Sequence, residues 1–206
     1  MKSQGKPKSG ERVRIFLDTE FTALRRDAHL ISLALVGEGG EEFYAEFTDV
    51  PMEEIRGNRW IEENVWAHLW LRQTDMSEAP RRMYVRGEVD GVRDALKGWL
   101  AQFGERRDAS GRVVPHLEVW ADVPAYDWVF FAELFGGALH LPPTIDYMVR
   151  DLATWLDCHG VDPSTPRLEL LTEEERPEGH QHNALFDARV GLCVWKKISA
   201  KTQKHG

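Results

Sequence analysis

Apolar residues recur along this chain with two periods. In Val13-Arg14-Ile15-Phe16-Leu17 a run of β-formers predicts a buried strand from Arg12 to Asp18, and similar runs predict strands at His29 to Val36 and Glu42 to Phe47. Glu38-Gly39-Gly40-Glu41 lies between the last two and offers glycines for a tight hairpin, so three antiparallel strands open the chain. Further on, the period becomes helical. Val92, Ala95, Leu96, Trp99, Leu100 and Phe103 fall on one face of a helix capped by Asp90 and ended by Gly104. Leu117 to Ala121 reads as a short strand, and Tyr126 to Leu134 as the helix after it. Met148, Val149, Leu152, Trp155 and Leu156 predict an amphipathic helix from about Ile145 to Asp157. Near the C-terminus Leu185, Ala188, Leu192 and Trp195 again recur at helical spacing, after a Pro- and Glu-rich stretch, Val161 to Gly179, that reads as a loop or lid.

This order predicts one α/β domain over residues 11–198, without internal repeats. A Lys/Ser/Gly/Pro-rich opening, residues 1–10, reads as a disordered tail, and residues 199–206 as a basic tail. At 206 residues the chain can bury roughly 70% of its unfolded surface, enough for such a core without staples. No stretch is apolar enough to cross a bilayer and Met1 to Gly10 has no apolar run, so a cytoplasmic protein with no membrane partner is expected. Cys158 and Cys193 match no zinc or redox spacing and are read as reduced core thiols. The eight tryptophans are read mostly as core, with Trp99 and Trp155 on apolar helix faces and Trp66 and Trp70 as an i, i+4 pair.

The candidate chemistry sits in three places. Asp18 and Glu20, two residues apart on a strand, project to the same side. Two carboxylates converging on a sheet face repel each other and are costly to desolvate unless cations lie between them, and hard oxygen ligands suit Mg²⁺ or Mn²⁺. Alone, such a pair also fits a solvated strand terminus. His182 precedes Asp187 with four residues between, which puts His182 at or just before a helix start and Asp187 inside the helix. A lone histidine there also fits a capping or surface role. Between these lie Asp122 and Asp127.

The order Asp18-Thr19-Glu20, then Tyr126-Asp127 opening a helix, then His182 and Asp187 resembles the DEDDh exonucleases, the RNase-H-like group that includes proofreading subunits, oligoribonuclease and RNase T. The resemblance runs from about Arg12 to Trp195. Asp18-Thr19-Glu20-Phe21, the hairpin after it and Asn58-Arg59-Trp60-Ile61-Glu62-Glu63-Asn64-Val65 are most similar to the bacterial and phage exoribonucleases called RNase AS, which trim adenylate-containing RNA 3′ ends. The resemblance implies an RNase-H-like (DnaQ-like exonuclease) mixed sheet flanked by helices. It selects Asp127 over Asp122, which is left as a loop cap, although Val123-Pro124 stands where the family often carries His-Asn.

It also implies the reaction. Asp18 would bridge two divalent ions, Glu20 and Asp187 would complete the first, and Asp127 would bind through water or directly. His182, as a neutral imidazole, would take a proton from the attacking water. Phe21 and Thr22 are expected to receive the terminal nucleotide. The expected activity is 3′-5′ hydrolysis of single-stranded RNA to nucleoside monophosphates with Mg²⁺ or Mn²⁺. A proofreading or repair exodeoxyribonuclease uses the same residues, and a noncatalytic nucleic-acid-binding module is a third reading. The net charge of −8 argues against a long duplex footprint and for a short one on a single-stranded end. Small basic clusters at Arg25-Arg26, at Arg81-Arg82 with Arg86, and at Lys196-Lys197 with Lys201 and Lys204 are candidate phosphate contacts or solvated faces. RNA is the expected partner before DNA, and a homodimer is left open.

Overall fold

Strand β1 (Val13–Phe21) is central in a six-stranded mixed sheet, and its alternating side chains set the two faces of the molecule. The computed structural model describes residues 12–71 and 81–202. Residues 1–10, read from the sequence as a tail, and Lys204 lie outside them. After β1 come β2 (Leu30–Gly37), β3 (Glu42–Phe47), short helices α1 (Met52–Gly57) and α2 (Arg59–Asn64), β4 (Arg82–Gly87) and α3 (Val89–Leu100). A two-stranded ribbon, β5 (Arg106–Arg107) and β6 (Val113–Val114), leads to β7 (Leu117–Ala121), α4 (Asp127–Glu133), β8 (Arg150–Asp151), α5 (Leu152–Cys158) and α6 (Ala184–Thr202). Sheet order is β4-β3-β2-β1-β7-β8, antiparallel across β1, β2 and β3 and parallel for β3/β4, β1/β7 and β7/β8. The β2/β3 hairpin turns at the expected glycines, with Gly40 at φ 91° in a region open to glycine.

On one sheet face Ile15, Leu17, Leu33, Leu35, Phe43 and Ala45 pack with Val92, Leu96 and Trp99 of α3. On the other, Phe16, Ala34, Val36, Tyr44 and Trp120 pack against Ala184, Leu185, Ala188 and Leu192 of α6. Phe16, Asp18 and Glu20 share a parity along β1, so both acids point to the side covered by α6. A register irregularity between Glu20 and Phe21 ends regular pairing there, as bulges often do beside sites.

Several local expectations change. Asp90 does not cap α3: Glu88 precedes the helix, and Asp90 lies in its first turn paired to Arg93 at 2.8 Å. The helix expected from Ile145 begins only at Leu152. The Asp146 carboxylate accepts the Met148 N–H and pairs with Arg12, while Asp151 accepts the Ala153 N–H, so side-chain capture of backbone groups outweighs the apolar periodicity. Trp66 and Trp70 do not pair on a helix, because a 3₁₀ turn (Trp66–His68) and extended Leu69 send them to opposite faces of the sheet. Cys158 is exposed rather than core. α6 continues to Thr202, beyond residue 198.

Among the described residues, no helix is long and apolar enough to cross a membrane. The basic clusters are largely engaged: Arg81, Arg82 and Arg86 pair with Glu41, Glu42 and Glu46, Arg25 with Glu54, and Lys197 with Glu175.

Candidate active site

Parallel pairing of β1 with β7 runs from Val13↔Leu117 to Phe16↔Trp120, so Asp18 and Glu20 lie beyond the carboxyl end of β7. Crevices at that end of parallel strands are where ligands bind in open α/β sheets. Here a cleft of roughly 320 Å³ is lined by Asp18, Glu20, Asp127, His182 and Asp187, with Phe21 at its edge. The five expected reactive residues, drawn from β1, α4, α6 and the approach to α6, are thus brought together. Thr22 is not among them. It lines a neighbouring apolar pocket, and its buried hydroxyl donates to Glu54 and accepts from the His29 N–H.

Each acid is positioned by backbone logic. Asp127 opens α4, and its Oδ1 accepts both the Thr19 N–H (2.9 Å) and the Thr19 hydroxyl (2.6 Å). Thr19, the residue between the two β1 acids, therefore holds the third. Asp187 Oδ2 accepts the His182 N–H at 2.7 Å. Just before α6, Asn183 is fully buried: its Oδ1 accepts the N–H groups of Leu185 (3.1 Å) and Phe186 (3.3 Å), and its Nδ2 donates to the Tyr44 hydroxyl and the His68 carbonyl. That cap fixes where the helix starts, and so where His182 and Asp187 stand. Arg189 clamps α6 to β3 through two hydrogen bonds to Glu42 at 2.9 and 2.8 Å.

His182 has φ 63°, in the left-handed region, and its ring meets Trp60 edge-on with centroids 4.8 Å apart. Upstream, Gly179 at φ 137° passes so close to α6 that a Cβ there would meet Phe186 at 2.8 Å. Trp60 itself is 50% exposed. With Phe21, Leu24, Asn58 and Ile61 it lines an apolar pocket of roughly 430 Å³ that also touches Glu20. Trp60 and Thr19 carry no signal in periodicity; the sequence offers them only within the two segments that resemble RNase AS. Asp122 is not a loop cap. It lines the cleft, and its Oδ1 accepts from Arg167 at 2.8 Å.

The electrostatics define what the cleft can hold. Burial, then the charges of Asp187, Asp127 and Glu20, push the Asp18 carboxyl well above the usual range. Burial with Asp187 and Asp127 raises Glu20 to about 8, and burial raises Asp187 to about 7 and Asp127 above its ordinary value. Among the described residues no lysine or arginine pairs with any of these four. Donor atoms of Glu20, His182 and Asp187 lie within 4.8 Å of one another. Crowded carboxylates that no lysine or arginine pairs with among the described residues, beside one imidazole, fit divalent cations such as Mg²⁺ or Mn²⁺. Burial, then His68, pulls the His182 imidazole down, which keeps it neutral near pH 7.

The sign of these shifts gives a prediction. A carboxyl raised in the fold contributes stability that is fully present below its unfolded pKa and lost as pH rises through the folded value. In chelator, the contribution of Asp187 and Glu20 should therefore decline from about pH 4 upward and be gone above their folded values near 7 and 8. Melting curves with EDTA should show the loss in the native protein more strongly than in Asp18→Asn, and Mg²⁺ should reverse it most at high pH. Equal pH dependence for the two proteins would show that the acids do not repel one another.

Residues 13–199 match the model of the 3′-5′ exoribonuclease Rv2179c-like domain. The 3′-5′ exoribonuclease Rv2179c of Mycobacterium tuberculosis H37Rv is 29% identical over 188 residues, covering 91% of this chain and 94% of that protein, and the exoribonuclease MT2234.1 of strain CDC 1551 matches equally. Among solved structures, Schizosaccharomyces pombe Pop2p in its Mg²⁺- and Mn²⁺-bound form superposes with a TM-score of 0.52 at 14% identity, covering 94% of this chain and 85% of that one. The zinc-bound form of the Escherichia coli ExoI–ssDNA complex gives 0.51 at 12% identity, covering 94% and 42%. At these identities the likeness is one of fold, the RNase-H-like mixed sheet flanked by helices.

Proposed function

Because the chain belongs to the Rv2179c-like 3′-5′ exoribonuclease family, we propose that it shortens single-stranded RNA from the 3′ end, releasing nucleoside 5′-monophosphates, with two divalent cations at Asp18, Glu20, Asp127 and Asp187. The observation that carries this reading is the convergence in a single cleft of four raised carboxyls, none paired to a lysine or arginine among the described residues, and one lowered imidazole. Bound cations would neutralise these acids and the phosphodiester and lower the pKa of the attacking water. Asp18, whose carboxyl is raised by burial and then by Asp187, Asp127 and Glu20, would be one of the acids that hold the cations. Thr19 holds Asp127 in line, and the His182 N–H orients Asp187. The neutral His182 ring is suited to accept the water's proton.

The apolar pocket beside Glu20 suits the terminal nucleobase. Phe21 and the half-exposed Trp60 present aromatic surface there, and stacking of this kind is worth about 1–3 kcal/mol per base. Similarity to RNase AS in the β1 and Trp60 segments supports adenylates as the preferred 3′ residues.

Matched RNA and DNA single strands, labelled at the 5′ end and incubated with Mg²⁺ or Mn²⁺, test the reading. RNA should give a ladder shortening from the 3′ end, fastest on an oligoadenylate tail, and a 3′-phosphate should block it. Faster digestion of DNA would transfer the proposal to an exodeoxyribonuclease, and cuts in circular RNA would refute exonuclease action.

A further inference from the structure

Arg167 is the one lysine or arginine among the described residues that line the acidic cleft. It begins a 3₁₀ turn (Arg167–Leu170) in the segment that leads to α6. Its side chain is only 14% exposed and is fastened on two sides. Nη1 donates to the carbonyls of Pro163 (3.0 Å) and Thr165 (2.6 Å), and Nη2 donates to Asp122 Oδ1 (2.8 Å). The Nε–H is buried and has no partner among the described residues. Asp122 is presented with equal care. It follows β7 directly, and the next residue, Val123, stands at φ 52° with its N–H donated to Asp151 at 3.2 Å. A β-branched residue in the left-handed region is strained and persists where its surroundings enforce it, most often at functional sites.

A buried guanidinium with an unfilled donor and a strained valine beside its anchor both cost stability. Neither is needed to join α5 to α6, which pack through Leu152, Leu156, Val190 and Val194. A polyanion entering the cleft gives the arrangement a use. A planar guanidinium matches phosphate oxygens with charge-assisted hydrogen bonds, and every other charged side chain lining the cleft among the described residues, His182 apart, is acidic. The carboxylate cluster with its cations accounts for the phosphate being cut, which leaves the guanidinium for a neighbour.

Resting on the exoribonuclease reading above, we propose that Arg167, held by Asp122, binds the non-scissile RNA phosphate immediately 5′ of the linkage being cut and so sets the register of the strand. Arg167 is then a substrate-binding residue and Asp122 its positioning partner, not a metal ligand.

The test uses 5′-labelled RNA pentamers in which single internal phosphates are replaced by neutral methylphosphonates, with KM and kcat measured for the native enzyme, Arg167→Ala and Arg167→Lys. On unmodified RNA, Arg167→Ala should raise KM about 10- to 100-fold, the worth of a hydrogen bond to a charged group, with kcat changed only a few-fold. A methylphosphonate at the second linkage from the 3′ end should impose a similar rise on the native enzyme and no further rise on Arg167→Ala. Lysine should restore part of the affinity. A merely structural arginine would instead show penalties that multiply independently at every linkage, and that result, or an unchanged KM, overturns the proposal. If Arg167→Ala fails to fold, Arg167→Lys and Asp122→Asn carry the same comparison, with sensitivity expected at that linkage alone. A native enzyme that makes no 3′ ladder from unmodified RNA overturns the exoribonuclease reading itself, and this proposal with it.

Discussion

Asp18→Asn is expected to abolish turnover, by about 10³-fold or more, a loss beyond that of a single oxyanion-hole donor, while leaving the chain folded. Asp18 shares a strand face with Phe16 and Glu20, and its raised carboxyl traces first to burial and then to three neighbouring acids. Removing its charge relieves repulsion in the metal-free protein but deletes one of the acids proposed to hold the cations. The mutant should therefore melt no lower than the native protein in EDTA above neutral pH, and should gain less from added Mg²⁺. The same physics predicts that chelation stops the native enzyme and that Mg²⁺ or Mn²⁺ restores it. Full activity in EDTA would sink the two-cation mechanism. A sharp fall in melting temperature for metal-free Asp18→Asn would make Asp18 a structural residue.

His182→Ala is expected to lower kcat by roughly 10²- to 10⁴-fold, the range of a positioned acid or base, with His180→Ala far milder. His182 lines the cleft and its backbone N–H holds Asp187, whereas the His180 ring lies tilted against His68 with centroids 4.8 Å apart. Alanine keeps the N–H and removes only the ring, so Asp187 should stay in place. Raising pH should partly rescue the mutant, because hydroxide then needs no protein base. Metal affinity is the deciding measurement, since a ring nitrogen of His182 lies within 4.8 Å of ligand atoms on Glu20 and Asp187. Near-native metal binding assigns His182 as a base, and a large loss assigns it as a ligand. A crippled His180→Ala beside an unaltered His182→Ala would reverse the choice between the histidines.

Periodicity was enough to read β1, the β2/β3 hairpin, α3, β7, α4 and the course of α6, because each buries a continuous apolar face whose spacing does not depend on distant partners. It failed between residues 145 and 151, where Asp146 and Asp151 capture backbone N–H groups, and at Trp66 and Trp70, where a short 3₁₀ turn breaks the helical spacing. The identities of the acids and of His182 were legible for a different reason: paired carboxylates on one strand face and a histidine just ahead of a helix are local patterns. Their environment was not local. Thr19 reaches Asp127 across 108 positions and Arg167 reaches Asp122 across 45, so only the packed chain decides which aspartate opens α4 held by Thr19 and which is bound in an ion pair. The meeting of Trp60 with His182 and the tie from Asn183 to Tyr44, 139 positions apart, likewise follow from α6 lying on the β1 face. A hydrogen bond depends on distance and direction in space, and neither is encoded in spacing along the chain.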